Sequence, residues 1–206
     1  MSIIAGKRQD TPTSIPDEKV GDVRVSEHGD LIVVGQGKRV QDTFTRPANT
    51  TAYAAGDVIS GTVSDTDTTV LRSLNLGWRN GRVSWLTFLR LETNLTTFLT
   101  KTRLHLYTVA APTTAVAGDN TAYARVYANK AFYIGVIEIP ILTLWRAGDD
   151  LVSATVVLNS IDGQLPFLIP PTTGTTLVYY RLVVLEGTPT PASGQSFTLT
   201  AHVVDN

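Results

Sequence analysis

The stretch "TFTRPANTTAYAAGDVIS", Thr43 to Ser60, decides how this chain is read. Pro47 removes a backbone donor and ends the strand before it. Ala48-Asn49 makes a turn, with the Asn49 side chain able to bond its own backbone. Tyr53 supplies one large anchor, Ala54-Ala55 allow close approach, and Gly56-Asp57 turns the chain into "VIS". A ligand cradle is the competing reading. The stretch presents no nucleophile, no base and no nest of glycines, so strand, corner, strand is preferred.

Outward from that corner the strands continue, each closed by turn chemistry. The sequence predicts strands near Arg39–Arg46, Val58–Ser64, Thr69–Leu74, Arg82–Thr93 and Arg103–Val109. Further strands are predicted near Phe132–Ile139, Leu151–Leu158, Thr176–Leu185 and Ser196–Val204. The stretches "RVSWLTFLRLET" and "QSFTLTAHVV" alternate large apolar with small or polar residues, as half-buried antiparallel strands do. Between the strands lie "DTD", "RNG", "APTTAVAGDN", "RAGDD" and "GTPTPASGQ", all of them turn vocabulary. Only "TNLTTFLTKT", Thr93–Thr102, reads two ways, and its threonines disfavour a long helix.

Upstream, "MSIIAGKRQDTPTSIPDEKVGD" is polar, carries two prolines and has no period, which predicts an extended arm. "VRVSEHGDLIVVG" then predicts a hairpin, Val23–Ser26 against Leu31–Val34, turning through Glu27-His28-Gly29-Asp30. The expected organisation is an arm with hairpin over residues 1–38 and an all-β, jelly-roll-like antiparallel sandwich over 39–206.

Composition suits that fold. The chain has 206 residues, 43% of them hydrophobic, enough for one large β domain with a real core. Charged residues make up 17% and nearly cancel to a net −1, which argues against nucleic acid as a partner. There is no cysteine, so neither a disulfide frame nor a thiolate site exists. The first residues reach charge without an apolar signal region, and no run approaches the ~18 apolar residues of a membrane helix. The chain is expected to be soluble, made in a cytoplasm, and without a membrane partner.

The search for chemistry returns little. His28, His105 and His202 show no metal-ligand spacing. Asp65-Thr66-Asp67 and Asp149-Asp150 lack the glycine and distal glutamate of a calcium loop and read as acidic turns. Gly35-Gln36-Gly37-Lys38 lacks the spacing of a phosphate loop, and no serine stands in a nucleophile elbow. No catalytic, cofactor or metal residues are assigned. Carboxylates distant in sequence leave a hydrolase as the weakest alternative.

The aromatic residues offer more. Trp78, Trp85 and Trp145, with Tyr107, Tyr123, Tyr127 and Tyr133, could form a sugar-stacking platform, but core or subunit contact is the favoured reading. Trp78 in "LGWRNG" and Trp145 in "TLWRAG" lie beside turns and are the best exposed candidates. "TLVYYRLVVLEGT" and "AFYIGVIEIPILTLW" carry more apolar residues than one sandwich face needs, and the surplus predicts self-association.

The phrase "TRPANTTAYAAGDVIS", behind a polar arm and ahead of Thr/Val-rich strands, resembles capsid cement (decoration) proteins of tailed bacteriophages. The resemblance implies a jelly-roll body on the outside of a capsid, with an arm gripping the major capsid protein. It also implies dimers or trimers and a virion location after synthesis in the host bacterial cytoplasm. On this reading Ile3, Ile4, Lys7, Arg8, Arg46, Trp78 and Trp145 are the expected capsid or subunit contacts. A tail or fibre module that binds a carbohydrate receptor through Trp78 or Trp145 is the alternative. If the corner is structural, Gly56 and Tyr53 should govern folding, whereas Arg46 and Asp57 should matter less.

Overall fold

The computed structural model describes residues 23–25, 31–33, 37–61, 71–76, 83–110, 118–124, 127–157, 164–170 and 175–205. The chain divides into two units, Met1–Gln36 and Gly37–Asn206. In the first, β1 (Val23–Val25) pairs antiparallel with β2 (Leu31–Val33), Arg24 facing Ile32. The predicted arm, with Ile3, Ile4, Lys7 and Arg8, and the hairpin turn at His28 lie outside the described residues.

In the second unit the described strands form two antiparallel sheets. The first sheet contains β3 (Gly37–Thr45), β6 (Ser84–Thr93), β9 (Val152–Val157), β10 (Phe167–Ile169) and β12 (Ser196–Asp205). The second contains β4 (Val58–Ile59), β5 (Arg72–Asn75), β7 (Thr102–Tyr107), β8 (Tyr133–Ile139) and β11 (Leu177–Val184). β4 and β5 line up end to end along one side of β11, as β9 and β10 do along one side of β6.

Counting each such collinear pair as one position leaves eight strand positions, and their partners are nested. First pairs with eighth (β3–β12) and second with seventh (β4/β5–β11). Third pairs with sixth (β6–β9/β10) and fourth with fifth (β7–β8). One long antiparallel hairpin is thus rolled over itself so that β12 also meets β6 and β11 also meets β7. That is a jelly roll.

Alternation builds the core. Leu86, Leu89 and Leu91 of β6, Leu104 and Leu106 of β7, and Leu199, Ala201 and Val203 of β12 all point between the sheets. Simple alternation along "SWLTFLRLET" would turn Phe88 inward. A bulge opposite His202/Val203 absorbs Thr87 instead, keeping Leu86 and Leu89 both buried and Phe88 outside. Phe44, Phe197, Phe98 and Tyr53 form a chain of ring contacts at 5.5, 5.3 and 6.0 Å through one end of the core. Segment Thr93–Thr102 contains only turns between its flanking strands.

Both open sides of the sandwich are closed by side chains. On one, Arg72 of β5 reaches Asp42 and the Thr43 carbonyl on β3. On the other, the Gln164 amide meets the Glu138 backbone on the edge of β8, accepting from its N–H and donating to its carbonyl at 3.1 Å. One amide side chain stands in for a neighbouring strand there.

Candidate functional site

The corner that opened the sequence reading is built around a buried cation. β3 ends at Thr45, and Arg46 is 2% exposed. Its Nε donates to the Tyr53 hydroxyl at 2.8 Å, and Nη2 donates to Asp119 Oδ2 at 2.7 Å and to Asn49 Oδ1 at 2.9 Å. Nη1 donates to the carbonyls of Asn49 and Ala192. Tyr53 donates to Asp119 Oδ1 at 2.7 Å, and the Ser60 N–H donates to the same oxygen at 2.9 Å. Burial, then the adjacent Asp119 carboxylate, push the Tyr53 hydroxyl far above the usual phenol range.

These contacts correct three expectations. Arg46 is interior rather than available at a capsid or subunit contact, and its removal would strand a buried carboxylate instead of being tolerated. The Asn49 side chain accepts from Arg46 rather than turning onto its own backbone. Tyr53, at 1% exposure, is the anchor the sequence predicts. Gly56 has φ +96° with open space where a Cβ would stand, so backbone conformation rather than crowding requires glycine. Asp57 closes that turn, accepting from the Ala54 N–H at 2.6 Å. The corner is a structural knot.

Two exposed surfaces remain. Leu99 is 55% exposed and Ile141 52%; they flank the Leu142 N–H to Thr100 carbonyl bond that ties their loops together. Leu144 and Trp145 follow on the second loop, with Trp145 84% exposed, as expected of it. Asp149 accepts from the Arg146 N–H at 2.9 Å, so this acidic pair belongs to the turn that presents the indole. Trp78 and Asp65-Thr66-Asp67 lie outside the described residues.

The second surface is the outer face of the first sheet. Leu168, Trp85 and Val204 are register partners across three strands, and so are Val157, Phe88 and His202. The Phe88 and His202 rings stack at 4.6 Å, while Val157 and Leu168 are each 47% exposed. Trp85 therefore sits half-buried on this face rather than in the core.

The outer face of the second sheet is different. Residues 118–124 return along β4, where Val58 and Asn120 exchange bonds with their neighbours and Tyr123 N–H donates to the Gly56 carbonyl at 2.8 Å. From there the Tyr123 ring reaches His105 on β7, 4.3 Å between centroids, and its hydroxyl meets that of Tyr107. The strand between, β11, carries Arg181 opposite His105; Arg181 is 1% exposed and its Nη1 donates to Ser60 Oγ at 3.0 Å. Tyr107, Tyr133, Tyr179 and Leu71 form a small second core here, so the apolar surplus of β11 is covered within the chain itself. Tyr127 stands apart, 79% exposed under the Lys130 ammonium.

Among the described residues no three metal-ligating side chains cluster, and no helix is long and apolar enough to cross a membrane.

No family model and no curated protein sequence matches this chain. Among solved structures, a chain of the Israeli acute paralysis virus full particle heated to 63 degrees is similar at 14% identity and TM-score 0.33, covering 95% of this chain and 85% of that one. A chain of an Israel acute paralysis virus pentamer is similar at 16% identity and TM-score 0.31, covering 82% and 88%. A marine algae virus of the order Picornavirales follows at 14% and 0.25, covering 100% and 91%. At these scores the likeness adds nothing to the assignment of the fold, which rests on the nested strand pairing: the chain is an all-β jelly roll.

Proposed function

We propose that this chain is a structural virion protein that binds the outside of a phage capsid and stabilises contacts between major capsid protein subunits. The observation that carries the reading is the tied pair of loops presenting Leu99, Ile141, Leu144 and Trp145 to solvent. An apolar group of this kind beside a stacking-competent indole is what a protein contact uses as its centre. A cement protein needs only modest contacts, because each is repeated over the shell; apolar burial contributes about 25 cal/mol per Å2. The two cross-strand rows on the outer face of the first sheet supply the surface for self-association into dimers or trimers.

Purified virions test the reading through copy number. Hundreds of copies per particle, with attachment to empty capsids weakened by Trp145→Ala, are expected. A handful of copies at one vertex would point to a tail or fibre instead, and absence from the particle would sink the proposal.

A further inference from the structure

The roof that Tyr123 makes over the second sheet leaves a groove of about 460 Å3 beside it, lined by Arg103, His105, Tyr123, Tyr133, Val136 and the turn at Gly56. That volume lies within the ~300–1,000 Å3 of small-molecule sites. We infer that this groove is a binding site for a neutral saccharide. The site is independent of the capsid contacts, since Trp145 and its loops are not among the lining residues.

Three features select the ligand class. The first is aromatic: Tyr123 and Tyr133 flank His105 at 4.3 and 5.9 Å, with the rings tilted by 37° and 41°. Such walls suit the C–H faces of a pyranose ring, an amphipathic body with polar edges. The second is polar: the lining Arg103 is held at 2.6 Å by Glu138 beside the groove, and the lining Tyr133 hydroxyl lies 3.1 Å from His105 Nδ1. Guanidinium, imidazole and phenol together offer donors and acceptors within one small area, as neighbouring sugar hydroxyls require.

The third is charge. Lys101 and Arg103 are matched by Glu138 and Glu186, through contacts of 3.1, 3.8 and 2.6 Å. A phosphate or carboxylate ligand would have to displace Glu138 from two cations. Those same cations hold the Glu138 carboxyl below its ordinary value of 4.5, so it stays an acceptor at neutral pH. A purely apolar ligand would bury the edges of Arg103, His105 and the two tyrosines against hydrocarbon. A hydroxyl-rich neutral ring presents C–H faces to the aromatic walls and hydroxyls to these polar edges.

The test titrates the full-length protein with a panel of neutral hexose and N-acetylhexosamine oligosaccharides, and with their sialylated counterparts, by calorimetry and by array. Saturable binding of at least one neutral glycan is expected, weakened tenfold or more by Tyr133→Ala. Because Tyr133 also packs in the small second core, Val136→Trp serves as the companion variant. Val136 is 38% exposed, and an indole there fills the groove without removing packing; it should abolish binding while leaving the melting temperature unchanged. Trp145→Ala should bind like the parent. The inference is overturned if no neutral glycan binds at millimolar concentration, if only sialylated glycans bind, or if Trp145→Ala abolishes binding while Val136→Trp does not.

Discussion

The molecule joins the same three kinds of side chain twice, with the arginine placed differently: Arg46 bridges Tyr53 and Asp119, whereas Arg72 holds Asp42 through both Nε and Nη2. At the corner, Arg46 and Tyr53 both bond Asp119; at the rim between the sheets, Arg72 and Tyr180 both bond Asp42. Each tyrosine donates to its carboxylate at 2.7 Å, and each guanidinium also lies against an aromatic ring, at 5.2 Å over Tyr53 and 5.1 Å over Phe44. They differ in water. The Arg46 and Asp119 side chains are 0% and 1% exposed, those of Arg72 and Asp42 30% and 15%. Where solvent is shut out, every hydrogen bond must be met by protein, and the corner draws on Asn49, Ser60 and Ala192 to do so. At the rim, water reaches the Arg72 and Asp42 side chains and can replace their lost bonds, although the Tyr180 ring is itself buried. Similar chemistry is therefore obligatory in one place and adjustable in the other.

Replacing the two arginines breaks the comparison most sharply. Arg46→Ala leaves Asp119 charged and buried and should cost about 3–5 kcal/mol, enough to threaten folding. Arg72→Ala should cost about 1 kcal/mol, because its pair is partly solvated. Denaturant melts of both variants measure the gap; equal losses would show that burial does not separate the triads.

The corner also depends on its backbone. Gly56→Val forces a β-branched residue to φ +96° and should cost about 1–3 kcal/mol by the same melts. The tyrosines give a finer contrast. Tyr53→Phe strips Arg46 Nε of its acceptor in a dry site, for about 1–3 kcal/mol, whereas Tyr180→Phe should lose about 1 kcal/mol. In 1 M salt the Arg72 contribution should shrink and that of Arg46 persist.

Alkaline pH treats the two alike. Burial first, and the neighbouring carboxylate second, raise both hydroxyls above the ordinary value of 10.0. Above that pH the unfolded chain loses protons that the folded chain keeps. The stability they contribute is thus complete below pH 10 and declines as pH rises beyond it. Melting temperature should be flat to about pH 9.5 and then fall, less steeply in Tyr53→Phe. The smallest expected effect is that of Trp145→Ala on folding, within about 0.5 kcal/mol.

How much of this was legible in the sequence follows from where each signal is stored. Strands announced by alternation, such as Ser84–Thr93 and Ser196–Asp205, were readable because a half-buried face leaves a period of two. β10 was not, since Pro166 and Pro170 bracket "FLI" and read as loop punctuation. The Thr87 bulge needs a partner strand to exist, so local alternation cannot put Trp85 and Phe88 on the same outer face, where the structure has them. Arg46 was misread for the same kind of reason. Its partner Asp119 lies 73 residues on, inside "AGDN", which by itself is only a turn. Tyr123 and Tyr133 stood in the sequence only within a wider aromatic set, with Tyr107, Tyr127 and the three tryptophans, for which core or subunit contact was preferred; nothing in the chain's order tells that residues 118–124 fold back along β4.

The nested pairing of the strands has a consequence in time. Arg103 and Glu138, on the innermost pair, are 35 residues apart, while Thr45 and Ser196, on the outermost, are 151 apart. Closing the longer loop costs only about 1 kcal/mol more in chain entropy. It has to wait, however, for everything enclosed to find register, so β7–β8 is placed to zip first and β12 to arrive last. Until β12 docks, β3 and β6 each show a bare edge. Refolding should then take milliseconds to seconds, as in other non-local β folds, and its yield should fall as protein concentration rises.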